Sequence, residues 1–96
     1  LVTIFAPELT AQSMALAREL RAAAFRVELY PEASKLQKQL RYADRQGIPL
    51  AVVLGPDELE RSEVSVKQLR SGEQRRLPRA ELVTGVRALL DSESPS

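Results

Sequence analysis

The run Ile48 to Leu54, IPLAVVL, is the most continuously apolar stretch of the chain, bounded by Gly47 on one side and Gly55-Pro56 on the other. It is far too short for a membrane span, and its β-branched content suits a central strand covered on both faces. Such a strand needs helices on each side of its sheet, which points to a three-layer α/β domain.

The flanking segments supply those layers. Leu1 to Phe5 (LVTIF) reads as a buried strand stopped by Ala6-Pro7, with Phe5 in the core. Glu8 to Ala24 reads as a helix whose packing face carries Leu9, Ser13, Leu16, Ala17, Leu20 and Ala24. Phe25 to Tyr30 (FRVELY) alternates apolar and polar residues, as an edge strand does, and Pro31 closes it. Ala33 to Gln46 follows as a helix, with Ser34 as N-cap, Glu32 beside its positive end and Gly47 at its close. Three strands separated by two helices predict right-handed βαβ crossovers and parallel pairing. After a turn at Pro56-Asp57-Glu58, Glu63 to Leu69 and Glu73 to Leu77 form a hairpin about Ser71-Gly72. Pro78 opens a last helix striped with Leu82, Val83, Val86, Leu89 and Leu90, despite Gly85. The expected fold is α/β: a mixed sheet of about five strands, three parallel plus the hairpin, flanked by three helices. One domain covers residues 1–90, with a disordered tail over 91–96.

Composition removes whole classes of chemistry. The chain has no Cys and no His, so disulfides, thiol and imidazole catalysis and the usual zinc sites are excluded. Its formal charge is +1, so affinity for a polyanion has to come from local clustering of its 14 basic residues. No signal-peptide pattern or membrane-length apolar run is present, which leads to the expectation of a soluble, cytoplasmic protein. The start at Leu1, without Met and directly in a strand, suggests a piece of something longer.

Parallel α/β sheets bind ligands outside the carboxyl ends of their strands. Those ends are Ala6-Pro7, Tyr30-Pro31-Glu32 and Gly55-Pro56-Asp57-Glu58. No dinucleotide-binding or Walker glycine motif occurs there, and no cofactor or metal is expected. At roughly 100° per residue, Lys35, Lys38, Arg41, Tyr42 and Arg45 lie on one side of the second helix, opposite Ala33, Leu36, Leu40 and Ala43. The cations suit phosphates, which need only charge on one side. Glu32 and Glu58 are unsuited to phosphate but could accept hydrogen bonds from base amines or ring N–H groups, with Lys67 donating to another base edge. Tyr30 is placed at the rim, where it could stack on an unpaired base.

Several short motifs occur together: Lys-x-x-x-Gln-Leu-x-Tyr-Ala-Asp at 35–44, Gly-Ile-Pro at 47–49, Gly-x-x-Glu-Leu at 55–59 and Val-x-Val-Lys-x-Leu at 64–69. With them the chain resembles, over nearly its whole length, the C-terminal anticodon-binding domain of class IIa aminoacyl-tRNA synthetases, and most of all that of histidyl-tRNA synthetases. The resemblance implies a mixed sheet flanked by helices that grips a tRNA anticodon loop with its bases splayed outward. It implies base reading by Glu58 and Lys67, and a contribution from Glu32, Ala33 and Lys35 at the start of the second helix. Some relatives use Asn where Ala33 stands. Ala24 and Ser62 occupy positions where glycine is expected, and a left-handed backbone at either would cost about 1 kcal/mol.

On this reading the chain performs no chemistry itself. It supplies histidine-tRNA affinity and identity to aminoacylation by a catalytic domain of the same parent, a histidine-tRNA ligase, with any homodimer formed through that parent. Two other readings stay open: a synthetase-like module retained for protein interaction or dimerisation, and a small-ligand α/β protein with an occupied pocket at the strand ends.

Overall fold

In the computed structural model, which describes residues 1–93, the apolar run forms β1, Leu50–Val53, with every residue buried. The predicted hairpin follows as β2, Glu63–Gln68, and β3, Gln74–Pro78. The sheet order is β1-β2-β3 and both pairings are antiparallel, placing Val52 opposite Val66, Ala51 opposite Lys67 and Ser65 opposite Arg76. Between β1 and β2, where only a turn is predicted, Pro56–Glu60 forms a short helix, α3. Proline at its first position and two carboxylates in its first turn favour a helix start.

The expected five-strand sheet with three parallel strands does not form. Among the described residues there are three strands, all antiparallel, and four α-helices rather than three. Leu1–Phe5 does lie beside β1, and Phe25–Tyr30 beside Leu1–Phe5, but they meet through single parallel bridges, Val2 to Val52 and Val2 to Leu29. Thr3 N–H donates to the Val52 carbonyl at 3.0 Å, and Tyr30 N–H donates to the Val2 carbonyl at 3.0 Å. The ladder to the Phe25–Tyr30 segment stops there for a definite reason. The next residue, Ile4, gives both backbone groups to a side chain: its N–H donates to Gln39 Oε1 at 2.8 Å, and its carbonyl accepts from Gln39 Nε2 at 2.7 Å.

Helices α1, Thr10–Ala22, and α4, Leu82–Glu93, pack on the sheet through Leu16, Ala17, Leu20, Leu82, Val86 and Leu89, against Val2, Val52, Val64 and Val66. A second cluster joins Leu1, Tyr30 and Ala43 beneath α2, Leu36–Arg45. The Leu1 nitrogen donates to the Leu50 carbonyl at 2.8 Å.

Three local expectations are corrected. Ser34 is not the cap of α2: Lys35 holds that position, the buried Ser34 hydroxyl has no hydrogen-bond partner among the described residues, and the Ser34 carbonyl accepts from Gln39 Nε2 at 2.9 Å. Pro78 ends β3 instead of opening α4, which starts after a 3-10 turn at Arg79–Glu81. Residues 91–93 are helical, not tail, while the rest of the predicted tail, 94–96, lies outside the described residues. Gly85 has a packing reason, since a Cβ there would stand 2.4 Å from Leu77 Cδ1 on β3.

Gly47 closes α2 with φ 71°, a conformation glycine adopts freely. Ala24 (φ 72°) and Ser62 (φ 55°) hold the same left-handed backbone with a Cβ to accommodate. Both are exposed, so glycine would relieve strain without uncovering core. Ala24→Gly and Ser62→Gly should each stabilise the fold by about 1 kcal/mol. In thermal melts this corresponds to a rise of about 4–8 °C apiece for a domain of this size. Unchanged or lowered melting points would show that the strain is absent.

Candidate nucleic-acid interface

The corner between α3 and β2 brings two predicted base readers together. Gly55 is the extended N-cap residue of α3, and Glu58, one turn in, folds back toward the sheet. Only 8% of Glu58 is exposed, and its Oε2 accepts a hydrogen bond from Ser65 Oγ at 3.1 Å. Lys67 lies two residues beyond Ser65 on β2, hence on the same sheet face, between Ala51 and Gln74. It is half-buried and forms no ion pair among the described residues. A carboxylate acceptor and an ammonium donor therefore share one face of one strand.

Asp57 ties this corner to β3. Its carboxylate meets Arg76 at 2.9 Å and Arg61 at 3.3 Å, and Arg76 also lies 3.8 Å from Glu63. These exposed pairs contribute under ~1 kcal/mol each, and the β2–β3 register sets Arg76 directly across from Ser65. Sequence reasoning missed Arg76, because its neighbours follow from the β2–β3 register. Only the alternation of QRRLP hinted at it.

On α2, Lys38, Arg41 and Arg45 are exposed on the side opposite buried Gln39 and Ala43, with Lys35 exposed at the N-cap and Glu32 exposed just before it. None of the four cations forms an ion pair among the described residues, so their charge is not cancelled by a bound carboxylate. Tyr42, predicted on this basic side, belongs elsewhere. Its hydroxyl donates to Glu28 Oε1, and that bond foremost, with some desolvation, raises the phenol pKa. Its ring meets Tyr30 edge-on at 5.6 Å and 78°. Tyr30 is also corrected: only 8% exposed and packed with Leu1 and Ala43, it is a core residue and not a rim platform.

The aromatic at the rim is instead Phe5, which the sequence assigns to the core. It is 44% exposed, whereas Phe25 packs on the main cluster beneath the Arg87 guanidinium, 5.2 Å from its ring centre. A Cβ placed on Gly55 would come 3.5 Å from Phe5 Cδ2 and 3.0 Å from Glu58 Oε1. The bare Gly55 backbone thus lets the ring and the carboxylate border one methyl-sized space. An apolar cavity of about 70 Å³ lies at the other end of β1, among Leu20, Phe25, Pro49, Leu50, Val86 and Leu90. It is well below the few hundred Å³ of ordinary ligand pockets, and two wider clefts of about 380 and 440 Å³ gather around Gly47, Ile48 and Pro49, away from the strand end at Gly55–Glu58. No helix among the described residues is long and apolar enough to cross a membrane.

A cationic helix face and a carboxylate-and-lysine corner, on an α/β scaffold without His or Cys, have the chemistry to meet a polyanion that also carries hydrogen-bonding edges. The chain belongs to the anticodon binding domain family, whose model matches residues 1–89. It is 34% identical over 79 residues to the histidine–tRNA ligase of Bacteroides fragilis, covering 82% of this chain and 17% of that protein. Against the histidine–tRNA ligase of Synechococcus elongatus it is 44% identical over 72 residues, covering 75% of this chain and 17% of that protein. In structure it is similar to the histidyl-tRNA synthetase of Nostoc sp. PCC 7120, with a TM-score of 0.89 at 34% identity over 93% of this chain and 21% of that one. The RNA binding domain of threonyl-tRNA synthetase from Cryptosporidium parvum Iowa II superposes with a TM-score of 0.82 over 92% of this chain and 22% of that one. At 18% identity that likeness is one of fold alone. The chain spans less than a quarter of the length of each of these proteins.

Proposed function

We propose that this domain recognises the anticodon loop of a histidine tRNA and supplies affinity and identity to aminoacylation by a catalytic domain of a parent histidine–tRNA ligase. The observation that carries the reading is the convergence of Glu58 and Lys67 on one face of β2, in a domain whose α2 cations form no ion pair among the described residues. With Oε2 engaged by Ser65, Glu58 retains Oε1 to accept from an exocyclic amine or ring N–H, and Lys67 donates to a carbonyl or ring nitrogen. Glu32 adds a second acceptor at the start of α2. Lys35, Lys38, Arg41 and Arg45 hold the phosphates, a contact that positions the loop without identifying it. Tyr30, packed edge-on against Tyr42 and beside Ala43, ties the segment before α2 to the later turns of that helix and is not assigned a base contact.

Titrating the chain with transcribed histidine tRNA and an anticodon-swapped version at fixed moderate salt tests the reading: the authentic anticodon should bind more tightly. Equal affinities, together with a concentration-dependent dimer in sedimentation, would favour a protein-interaction module instead. Lys38→Ala and Arg41→Ala should weaken both RNAs alike and each reduce the salt slope of log K by about 1. An unchanged slope would remove α2 from the interface.

A further inference from the structure

Phe5 has no role in the reading above, yet its setting is specific. It is one of three large apolar residues exposed among those described, with Met14 and Leu59, and its ring borders the same space at Gly55 as the Glu58 carboxylate. Its backbone is fixed from the residue before, because both polar groups of Ile4 are bonded to the fully buried Gln39 amide. One ring edge rests on Gly55, at the space that Glu58 Oε1 also borders. Gly55 has φ −96° and ψ 179°, a backbone open to any residue, so the lack of a side chain there serves space and not conformation. Any Cβ would crowd the carboxylate and ring together. A rigidly held, solvent-facing aromatic ring beside a hydrogen-bond acceptor has the two elements that recognise an unpaired nucleobase: a surface for its π-face and a partner for its edge.

We propose that Phe5 is a specificity-determining residue, the platform on which one splayed anticodon base stacks while Glu58 accepts from that base's edge. The proposal rests on the anticodon reading given above. Stacking holds the base plane in register with the acceptor, so discrimination at that position depends on Phe5 although the ring itself accepts any base.

The test compares the wild-type chain with Phe5→Leu, Phe5→Trp and, as a control away from the site, Met14→Ala. Each is titrated with histidine tRNA, with the anticodon-swapped tRNA, and with histidine tRNAs carrying a single abasic site at each anticodon position in turn. Phe5→Leu should weaken binding of histidine tRNA about ten- to hundredfold. The loss should vanish on one of the abasic RNAs, Phe5→Trp should retain wild-type affinity, and Met14→Ala should have no effect. If the wild type discriminates between anticodons but Phe5→Leu matches it on every RNA, the stacking role is overturned while the anticodon reading stands. An equal loss for Phe5→Leu on every abasic RNA would also overturn it, showing that the ring acts through the fold. Absence of wild-type discrimination would overturn the anticodon reading and this proposal with it. Should Phe5→Leu melt early, Phe5→Trp decides: its binding below the wild type on histidine tRNA, with an unchanged melt, overturns the platform.

Discussion

Gln39→Leu should destabilise the domain by on the order of 3–5 kcal/mol, a large fraction of the roughly 5–15 kcal/mol that holds a domain of this kind together. Leucine fills much of the same volume, so the cost is not a cavity. The Gln39 amide is fully buried, accepts from Ile4 N–H at 2.8 Å, and donates to the Ile4 carbonyl at 2.7 Å and the Ser34 carbonyl at 2.9 Å. Removing it strands three backbone groups, each costing about 1–3 kcal/mol when left unpaired in the interior. Gln39→Glu does not rescue the site, because a carboxylate can still accept from Ile4 N–H but faces two carbonyls with no proton to offer. Urea unfolding should show a lower midpoint at an unchanged slope. A loss under ~1 kcal/mol would mean that the end of the first segment pairs differently in solution. Because Gln39 also fixes the backbone leading into Phe5 and the Ser34 end of α2, RNA affinity should fall along with stability.

The second large effect is on recognition. Glu58→Gln changes little in volume and keeps an oxygen for Ser65 Oγ, so the fold should hold. What it removes is an acceptor that carries charge and cannot donate. A bidentate or charge-assisted base contact is worth about 1–3 kcal/mol of discrimination, so the preference for histidine tRNA over the anticodon-swapped RNA should shrink by about ten- to hundredfold. Affinity for the swapped RNA should scarcely change. Lys67→Met should act in the same direction from the donor side, retaining the aliphatic stem that half-buries on β2. A variant that weakens both RNAs equally would place its residue in the general grip.

The sequence carried much of this fold, and its failures have physical causes. The Ile48–Leu54 run, the Gly47 stop and the hairpin about Gly72 are local signals, and each appears where period and turn chemistry put it. The two N-terminal runs were legible as extended chain. That the pairing between them stops at a single bridge depends on Gln39, which lies far along the sequence. Helical spacing placed Leu36, Leu40 and Ala43 inward and passed over Gln39, since a polar residue gives no apolar signal even when its amide is the best-bonded group in the interior. Tyr30 and Phe5 exchanged roles for a related reason. An aromatic at a strand end can face in or out, and the choice is set by Tyr42 and Glu28 for one and by Gly55 for the other. The strain at Ala24 and Ser62 was readable only because the resemblance marked both as positions that want glycine. Among the proposed site residues, the cations of α2 followed from periodicity, but the meeting of Glu58 with Ser65 required the α3 helix that the sequence showed only as a turn.

The central claim is a division of labour, with α2 gripping and the α3–β2 corner reading. The measurement that tests it most directly is the ratio of dissociation constants for anticodon-swapped and histidine tRNA, taken at two salt concentrations for the wild type, Lys38→Ala and Glu58→Gln. The account predicts that Lys38→Ala moves both constants together, leaving the ratio intact and lowering the salt slope, while Glu58→Gln collapses the ratio and leaves the slope alone. If both substitutions change the two constants by the same factor, the domain does not separate grip from reading and the account is wrong.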